Sequence, residues 1–120
     1  MLKKLTVAQR AAYDENGYVD RIDIFTDKEI EEIVAELAEA EAAFGYELNA
    51  AGRNNAHYVL PVLDRITHDP RILDAVEDII GPDILVVGTT LFIKEPETRG
   101  FVSWHQDARY IGLEPHNWVT

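Results

Sequence analysis

The feature that most constrains the fold is the apolar segment at residues 84–94. In a strand, alternate side chains project to opposite faces. One face would carry a nearly unbroken apolar row, Leu85, Val87, Thr89, Leu91 and Ile93. The other face turns polar toward its end and would carry Ile84, Val86, Gly88, Thr90, Phe92 and Lys94. Because the apolar row needs a second layer to cover it, the segment predicts a layered β structure.

The polar end of this segment has two interpretations. A hydroxyl from Thr90 and a cation from Lys94, on an otherwise apolar face, suit a cavity that receives an anionic ligand. Alternatively, Lys94 simply marks the point where the strand leaves the core for solvent.

A second constraint lies at residues 101–110, where His105 and Asp107 are two positions apart. In an extended strand these side chains share one face, close enough to bind one metal ion. Such a pair, with a second histidine and open positions, forms the facial triad of non-haem Fe(II) oxygenases. The pattern is weak by itself, since it occurs by chance in about one chain in ten of this length. The alternative is a polar pair at an exposed strand end.

The surrounding residues resemble the phytanoyl-CoA dioxygenase family. The resemblance rests on residues 91–96, Gly100, the run Trp-His-Gln-Asp at 104–107, and Tyr110. Residues 5–19 and 80–83 are also similar to the start of that family. Its members are Fe(II)- and 2-oxoglutarate-dependent oxygenases with a double-stranded β-helix (jelly-roll) core.

The resemblance implies a set of site residues. His105 and Asp107 match two iron ligands and would be the catalytic, metal-binding pair. Lys94 matches a lysine that contacts 2-oxoglutarate in some members, and Tyr110 lies where members often place an aromatic residue near the substrate or cosubstrate pocket. Thr90, singled out above from the strand pattern, would also bind the cosubstrate. Trp104 and Gln106 would face away from the metal.

The implied activity is hydroxylation of a small organic substrate by O₂. Related halogenases lack the carboxylate ligand, so the presence of Asp107 favours hydroxylation. One alternative is a non-catalytic fragment or assembly module of the same fold without a complete metal site. A second is a cupin-like metal site that does not use 2-oxoglutarate.

The expected fold class is α+β, with N-terminal helices packed on the start of an incomplete jelly-roll core. Residues 1–120 would form the N-terminal part of one oxygenase domain, with helices to about residue 82 and the first core strands at about 83–110. The family's second histidine and its 2-oxoglutarate-binding arginine lie further downstream than Thr120. A C-terminal half or a homo-oligomer would have to complete the sheet.

Charge and composition exclude several other classes. A net charge of −11 and a pI near 4.6 disfavour nucleic acid and anionic membranes as partners. The chain has no cysteine, which excludes disulfides and thiolate metal sites. With no secretory signal and no membrane-spanning run, a cytoplasmic location is expected.

Capping signals predict the helices. Thr6 with Gln9, and Thr26 with Glu29, have capping-box spacing, while Asp69 before a proline is an N-cap. The corresponding helices should end at Asn16-Gly17, near Gly45, and at Gly81-Pro82. The second helix should bury one apolar stripe, formed by Ile30, Ile33, Val34, Leu37 and Phe44.

The remaining segments are less regular. Residues 18–25 read as a strand, residues 60–66 as a helical turn and residues 46–58 as a loop. Arg53 and His57 in that loop are either substrate contacts or incidental surface residues. His68 is expected to be structural or exposed, and the spacing of His116 disfavours it as a third metal ligand.

Overall fold

The computed structural model describes residues 1–45, 47–49, 53–94, 96–115 and 117–120. In these ranges the chain forms five α-helices and one 3₁₀ turn. The helices are α1 (Val7–Asn16), α2 (Asp27–Phe44), α3 (Pro61–Thr67), α4 (Pro70–Ile80) and α5 (Ala108–Ile111), and the 3₁₀ turn is Ala56–Tyr58.

The predicted starts of α1 and α2 are confirmed. The Thr6 hydroxyl accepts from the backbone N–H of Gln9, and the Gln9 side chain accepts in turn from the Thr6 backbone. Thr26 and Glu29 make the same reciprocal pair at α2. Both helices end at a glycine in the left-handed conformation, as a C-terminal glycine cap requires.

Helices α3 and α4 begin with proline in the first turn. Asp69 accepts from the backbone N–H of Arg71 and caps α4, as predicted, and Gly81 ends that helix. The helical turn expected at 60–66 is α3, which follows the N-cap residue Leu60. Local capping chemistry therefore sets the bounds of α4, whereas α3 begins at a proline without a side-chain cap.

The hydrophobic core lies between the 3₁₀ turn, α3 and α2. Its buried members are Leu48, Ala56, Leu60, Val62 and Leu63, and it is extended by Ile33, Leu37, Ala40, Ile66 and Leu91. The predicted stripe of α2 is therefore only partly correct. Ile30, Val34 and Phe44 are exposed, because α2 packs on α3 through the side that carries Ile33 and Leu37.

The carboxylate of Asp78 on α4 binds the backbone of residues 3–5. Asp78 accepts from the backbone N–H groups of Lys3, Lys4 and Leu5, each at 2.8 Å. Partial burial opposes the charge, but these three donors outweigh it and lower the pKa of Asp78. The anchor holds Leu5 in a buried position.

The extended segments differ most from expectation. Residues 18–25, predicted as a strand, pair with no other segment in the described part of the chain. The reason is that a strand needs a partner, and here its apolar residues face a cleft instead.

Within the described residues, 84–94 form one β-bridge, to the segment predicted as a loop. Asn55 donates its backbone N–H to Thr89 at 2.7 Å, Leu91 donates to Arg53 at 2.8 Å, and Thr90 bridges to Asn54 in antiparallel register. The jelly-roll core expected at 83–110 stays a prediction, and residues 108–111 are helical.

Candidate metal centre

His105 and Asp107 lie side by side where the chain passes from extended backbone into α5. Asp107 is the N-cap residue of α5 and already has helical dihedral angles, φ −63° and ψ −37°. Its carboxylate makes no capping hydrogen bond, so it turns toward the preceding histidine. The result is a distance of 3.1 Å between His105 Nε2 and Asp107 Oδ1.

A backbone carbonyl fixes the orientation of the imidazole. His105 Nδ1 lies 2.8 Å from the Ser103 carbonyl oxygen, and since a carbonyl can only accept, Nδ1 carries a proton. In the neutral ring Nε2 is then the nitrogen with a free lone pair, and this is the nitrogen beside Asp107. Metal-binding histidines commonly have this arrangement, with the second nitrogen donating to a carbonyl or carboxylate.

The same contacts favour the protonated ring when no metal is bound. The Ser103 carbonyl raises the pKa of His105, and the neighbouring Asp107 carboxylate raises it further. A metal ion must displace this proton, so its binding should strengthen as the pH rises.

The two donors fit one divalent ion. First-row metals bond to imidazole nitrogen and carboxylate oxygen at about 2.0–2.2 Å, so two ligands at a right angle are about 3 Å apart. The measured separation is 3.1 Å, and the side chains are 40% and 37% exposed, so an ion can reach both. The described residues contain no group of three or more His, Cys, Asp or Glu side chains able to hold a metal.

Of the three residues expected to border the cosubstrate, one lies beside this pair. The Tyr110 ring meets the His105 ring edge-on, with 6.2 Å between centroids. Thr90 instead donates its hydroxyl to Asn54 at 3.3 Å, on the edge paired with residues 53–55. Lys94 is exposed, and neither Thr90 nor Lys94 borders the cleft described next.

A cleft of about 900 Å³ opens beside His105 and Asp107. One wall is α4, which presents Ile72, Ala75, Val76 and Ile79. The other walls come from residues 18–24, from residues 102–107, which include His105 and Asp107, and from residues 118–120. We refer to this space as the α4 cleft.

Several residues of the α4 cleft had no functional role in the sequence analysis. The apolar residues of α4 were assigned no chemistry, Tyr13 and Tyr18 entered only through the resemblance of residues 5–19 to the family, and Trp118 carried no motif. The helical spacing of the α4 face was visible in the sequence, but its partner segments were not. Trp104 also borders the α4 cleft, although it was expected to face away from the metal.

The loop candidates Arg53 and His57 do not border the α4 cleft. His57 is 7% exposed, and its Nδ1 lies 2.7 Å from the Thr89 hydroxyl. The Arg53 guanidinium lies 4.8 Å from the centre of the Phe92 ring. Both side chains therefore join the loop to residues 84–94. His116 lies outside the described residues.

A histidine–carboxylate pair with room for an ion, at the wall of an apolar cleft, is the kind of site found in mononuclear metal enzymes. In a comparison with protein families, the model for phytanoyl-CoA dioxygenase (PhyH) matches residues 13–120. The chain belongs to the phytanoyl-CoA dioxygenase family. Comparisons with curated proteins and with solved structures find no match. No helix in the described ranges has the length and apolarity needed to cross a bilayer.

Proposed function

We propose that the chain carries part of the active site of an Fe(II)- and 2-oxoglutarate-dependent dioxygenase that hydroxylates a small organic substrate. The observation that supports this proposal is the 3.1 Å pairing of His105 Nε2 with Asp107 Oδ1, in a chain that belongs to a dioxygenase family. Iron bound there, with 2-oxoglutarate as the co-reductant, would supply the O₂ chemistry.

The protein's own residues have separate roles in this proposal. His105 binds through Nε2, and the Ser103 carbonyl holds the ring in position through Nδ1. Asp107 supplies the carboxylate ligand, and Tyr110 limits the space on one side of the imidazole. Lys94 and Thr90 remain the proposed contacts for 2-oxoglutarate. The α4 cleft would hold the substrate and exclude water from it.

The test is Fe(II)-dependent formation of succinate from 2-oxoglutarate by the complete protein, including the residues that follow Thr120. Asp107→Ala should reduce it at least about 100-fold, because it removes a ligand to the metal. The matched control is Asp83→Ala, which removes an exposed carboxylate outside the cleft and should leave the rate within about twofold. Equal rates for wild type and Asp107→Ala would contradict the assignment.

Direct Fe(II) titration separates this proposal from the non-catalytic module. With His105 and Asp107 as its two ligands, the 120-residue chain should bind Fe(II) weakly, whereas a catalytic site completed by a third ligand predicts stoichiometric binding that Asp107→Ala weakens. A non-catalytic module predicts weak binding, equally weak in both proteins. A metal site of the cupin type predicts tight binding without succinate formation under any condition.

A further inference from the structure

A buried polar contact joins the 3₁₀ turn to residues 84–94. His57 is 7% exposed, and its Nδ1 lies 2.7 Å from the Thr89 hydroxyl. Within the described part of the chain, His57 is the one polar or charged side chain that is buried. Burying a polar group is costly unless the group is paired, and such a pair can select one arrangement among several apolar ones. The contact between His57 and Thr89 therefore calls for a role.

Thr89 is the polar member of the otherwise apolar row on one face of residues 84–94. The next member of that row, Leu91, packs against the hydrophobic core. Both residues are partly buried. The residues that alternate with them on the other face are exposed, namely Thr90, Phe92 and Lys94. The row that carries Thr89 therefore faces the loop and the core, and the face that carries Thr90 and Lys94 points away from them.

The backbone hydrogen bonds follow the same alternation. Leu91 donates its N–H to the Arg53 carbonyl at 2.8 Å. Two residues later, Ile93 donates its N–H to the Asn49 side chain at 3.2 Å and accepts from the same amide at 2.8 Å. A slip by one residue would turn every side chain of this segment to the opposite face. Because backbone groups are alike at every residue, side chains must specify which face turns inward.

Two consecutive threonines leave the register open at this point in the sequence, since either hydroxyl could pair with His57. The structure assigns Thr89 to His57, while Thr90 donates its hydroxyl to the Asn54 side chain at 3.3 Å. If Thr90 took the place of Thr89, the face that carries Lys94 would turn toward the core. The contact between His57 and Thr89 therefore distinguishes the observed register from the alternative.

From these contacts we infer that His57 is a positioning residue for the cosubstrate. Through Thr89 it holds residues 89–94 in the register that places Thr90 and Lys94 on the outward face. The inference rests on the proposed function, in which Thr90 and Lys94 contact 2-oxoglutarate. It goes further because it gives a role to a buried side chain that contacts neither the metal nor the cosubstrate in that proposal.

The first test is the steady-state kinetics of the complete protein with 2-oxoglutarate as the varied substrate. His57→Leu keeps an apolar group of similar size but removes the hydrogen bond. It should raise KM for 2-oxoglutarate at least about fivefold and leave kcat within about twofold, because the metal ligands are unchanged. His57→Asn retains a hydrogen-bonding group near the position of Nδ1 and should bring KM back to within about twofold of wild type. Thr89→Val and Thr89→Ser should reproduce the loss and the rescue from the other side of the contact.

The matched control is Thr67→Val, which removes a hydroxyl that donates to the Asp64 carbonyl in α3. It should leave KM within about twofold of wild type. Because His57 and Thr89 act through one hydrogen bond, the double variant His57→Leu/Thr89→Val should raise KM no further than either single variant. An unchanged KM in His57→Leu, an equal rise in Thr67→Val, or additive effects in the double variant would overturn the inference.

Amide hydrogen exchange of the iron-free protein tests the register without any turnover. His57→Leu should speed exchange of the Leu91 and Ile93 amides at least about tenfold and leave the Gly45 amide at the end of α2 unchanged. If His57→Leu does not fold, judged by circular dichroism, Thr89→Val replaces it in both tests. Faster exchange with no succinate from wild type would reject the proposed function alone. Succinate formation with an unchanged KM in the variant would reject the positioning role alone.

Discussion

The helical part of the chain, residues 1–81, and the part that follows α4 are held together by different means. In the first part, α1, α2 and α4 carry their own start and stop signals within a few residues, and α2 and α3 share a buried core. In the second part the described backbone is mostly extended apart from the short helix α5, and Leu85, Phe101 and Trp104 are exposed. Helical hydrogen bonds are local, whereas a strand is satisfied only by a distant partner.

This contrast places the candidate metal pair at the boundary of the two kinds of structure. The rigid wall of the α4 cleft belongs to the helical part, while His105 and Asp107 belong to the extended part. The contacts that position the pair are short-range, from Ser103 and Tyr110. The pair can therefore form without a completed sheet around it.

The largest predicted difference between the two parts concerns stability. Leu60→Ala removes a side chain that is 4% exposed in the core and should lower the free energy of unfolding by about 2–5 kcal/mol. Leu85→Ala removes the same atoms from a side chain that is 82% exposed and should change it by less than about 0.5 kcal/mol. Urea unfolding followed at 222 nm measures both. A similar loss in the two variants would show that residues 84–94 are packed.

A smaller effect should follow from loosening the anchor between the N-terminal segment and α4. Asp78→Asn replaces a carboxylate that accepts three backbone N–H bonds, and it should cost about 1–2 kcal/mol at neutral pH, allowing for solvent screening. Asp74→Asn removes the same charge from α4, where it makes only a 3.8 Å ion pair with Lys3, and should cost much less.

The Asp78 anchor also predicts a pH dependence. The pKa of Asp78 is lowered from its ordinary value of 3.8, so its contribution to stability is complete above that value. The contribution is lost as the pH falls through the lowered pKa, when the folded protein also takes up the proton. The difference in unfolding free energy between wild type and Asp78→Asn should therefore shrink below about pH 4. A difference that grows on acidification would contradict this assignment.

The smallest effect concerns the contact between residues 53–55 of the first part and residues 88–91 of the second, which we call the seam. A Cβ at Gly88 would lie 2.8 Å from Asn55 Oδ1, so Gly88→Ala must displace the amide that accepts from the Thr89 backbone at 3.2 Å. The expected cost is about 0.5–1.5 kcal/mol. Gly100→Ala is the control, because its nearest neighbour would be 3.9 Å away, and it should be near neutral. Equal costs in the two variants would indicate that the seam is not formed in solution.

The same contrast explains how much could be predicted from the sequence. The starts of α1, α2 and α4 were predictable because the side chains of Thr6, Thr26 and Asp69 accept hydrogen bonds from backbone N–H groups two or three residues away. The sequence did not predict the unpaired state of residues 18–25, because alternation of apolar residues does not identify a pairing partner. It also did not predict that residues 53–55 pair with residues 84–94, because this pairing uses backbone groups that the side-chain pattern does not reveal.

For the candidate site, the sequence predicted that the side chains of His105 and Asp107 lie close together, but the backbone conformation assumed for Asp107 was incorrect. The spacing of His105 and Asp107 was interpreted as two positions of one strand, but Asp107 has helical dihedral angles. The side chains still meet, because the turn into α5 directs the carboxylate back to the imidazole. The α4 cleft depends on residues 102–107 and 118–120 lying opposite α4, from which they are distant in the sequence, and no local signal predicts that placement.

The most direct test of the central claim is an anaerobic Fe(II) titration followed by the imidazole NMR signals, with His57 and His68 as internal references. The account predicts that the His105 signals broaden at the lowest Fe(II) concentration while those of His57 and His68 do not. It further predicts that Asp107→Ala requires at least about tenfold more Fe(II) for the same effect. Simultaneous broadening of all three histidines, or unchanged His105 broadening in Asp107→Ala, would contradict the claim.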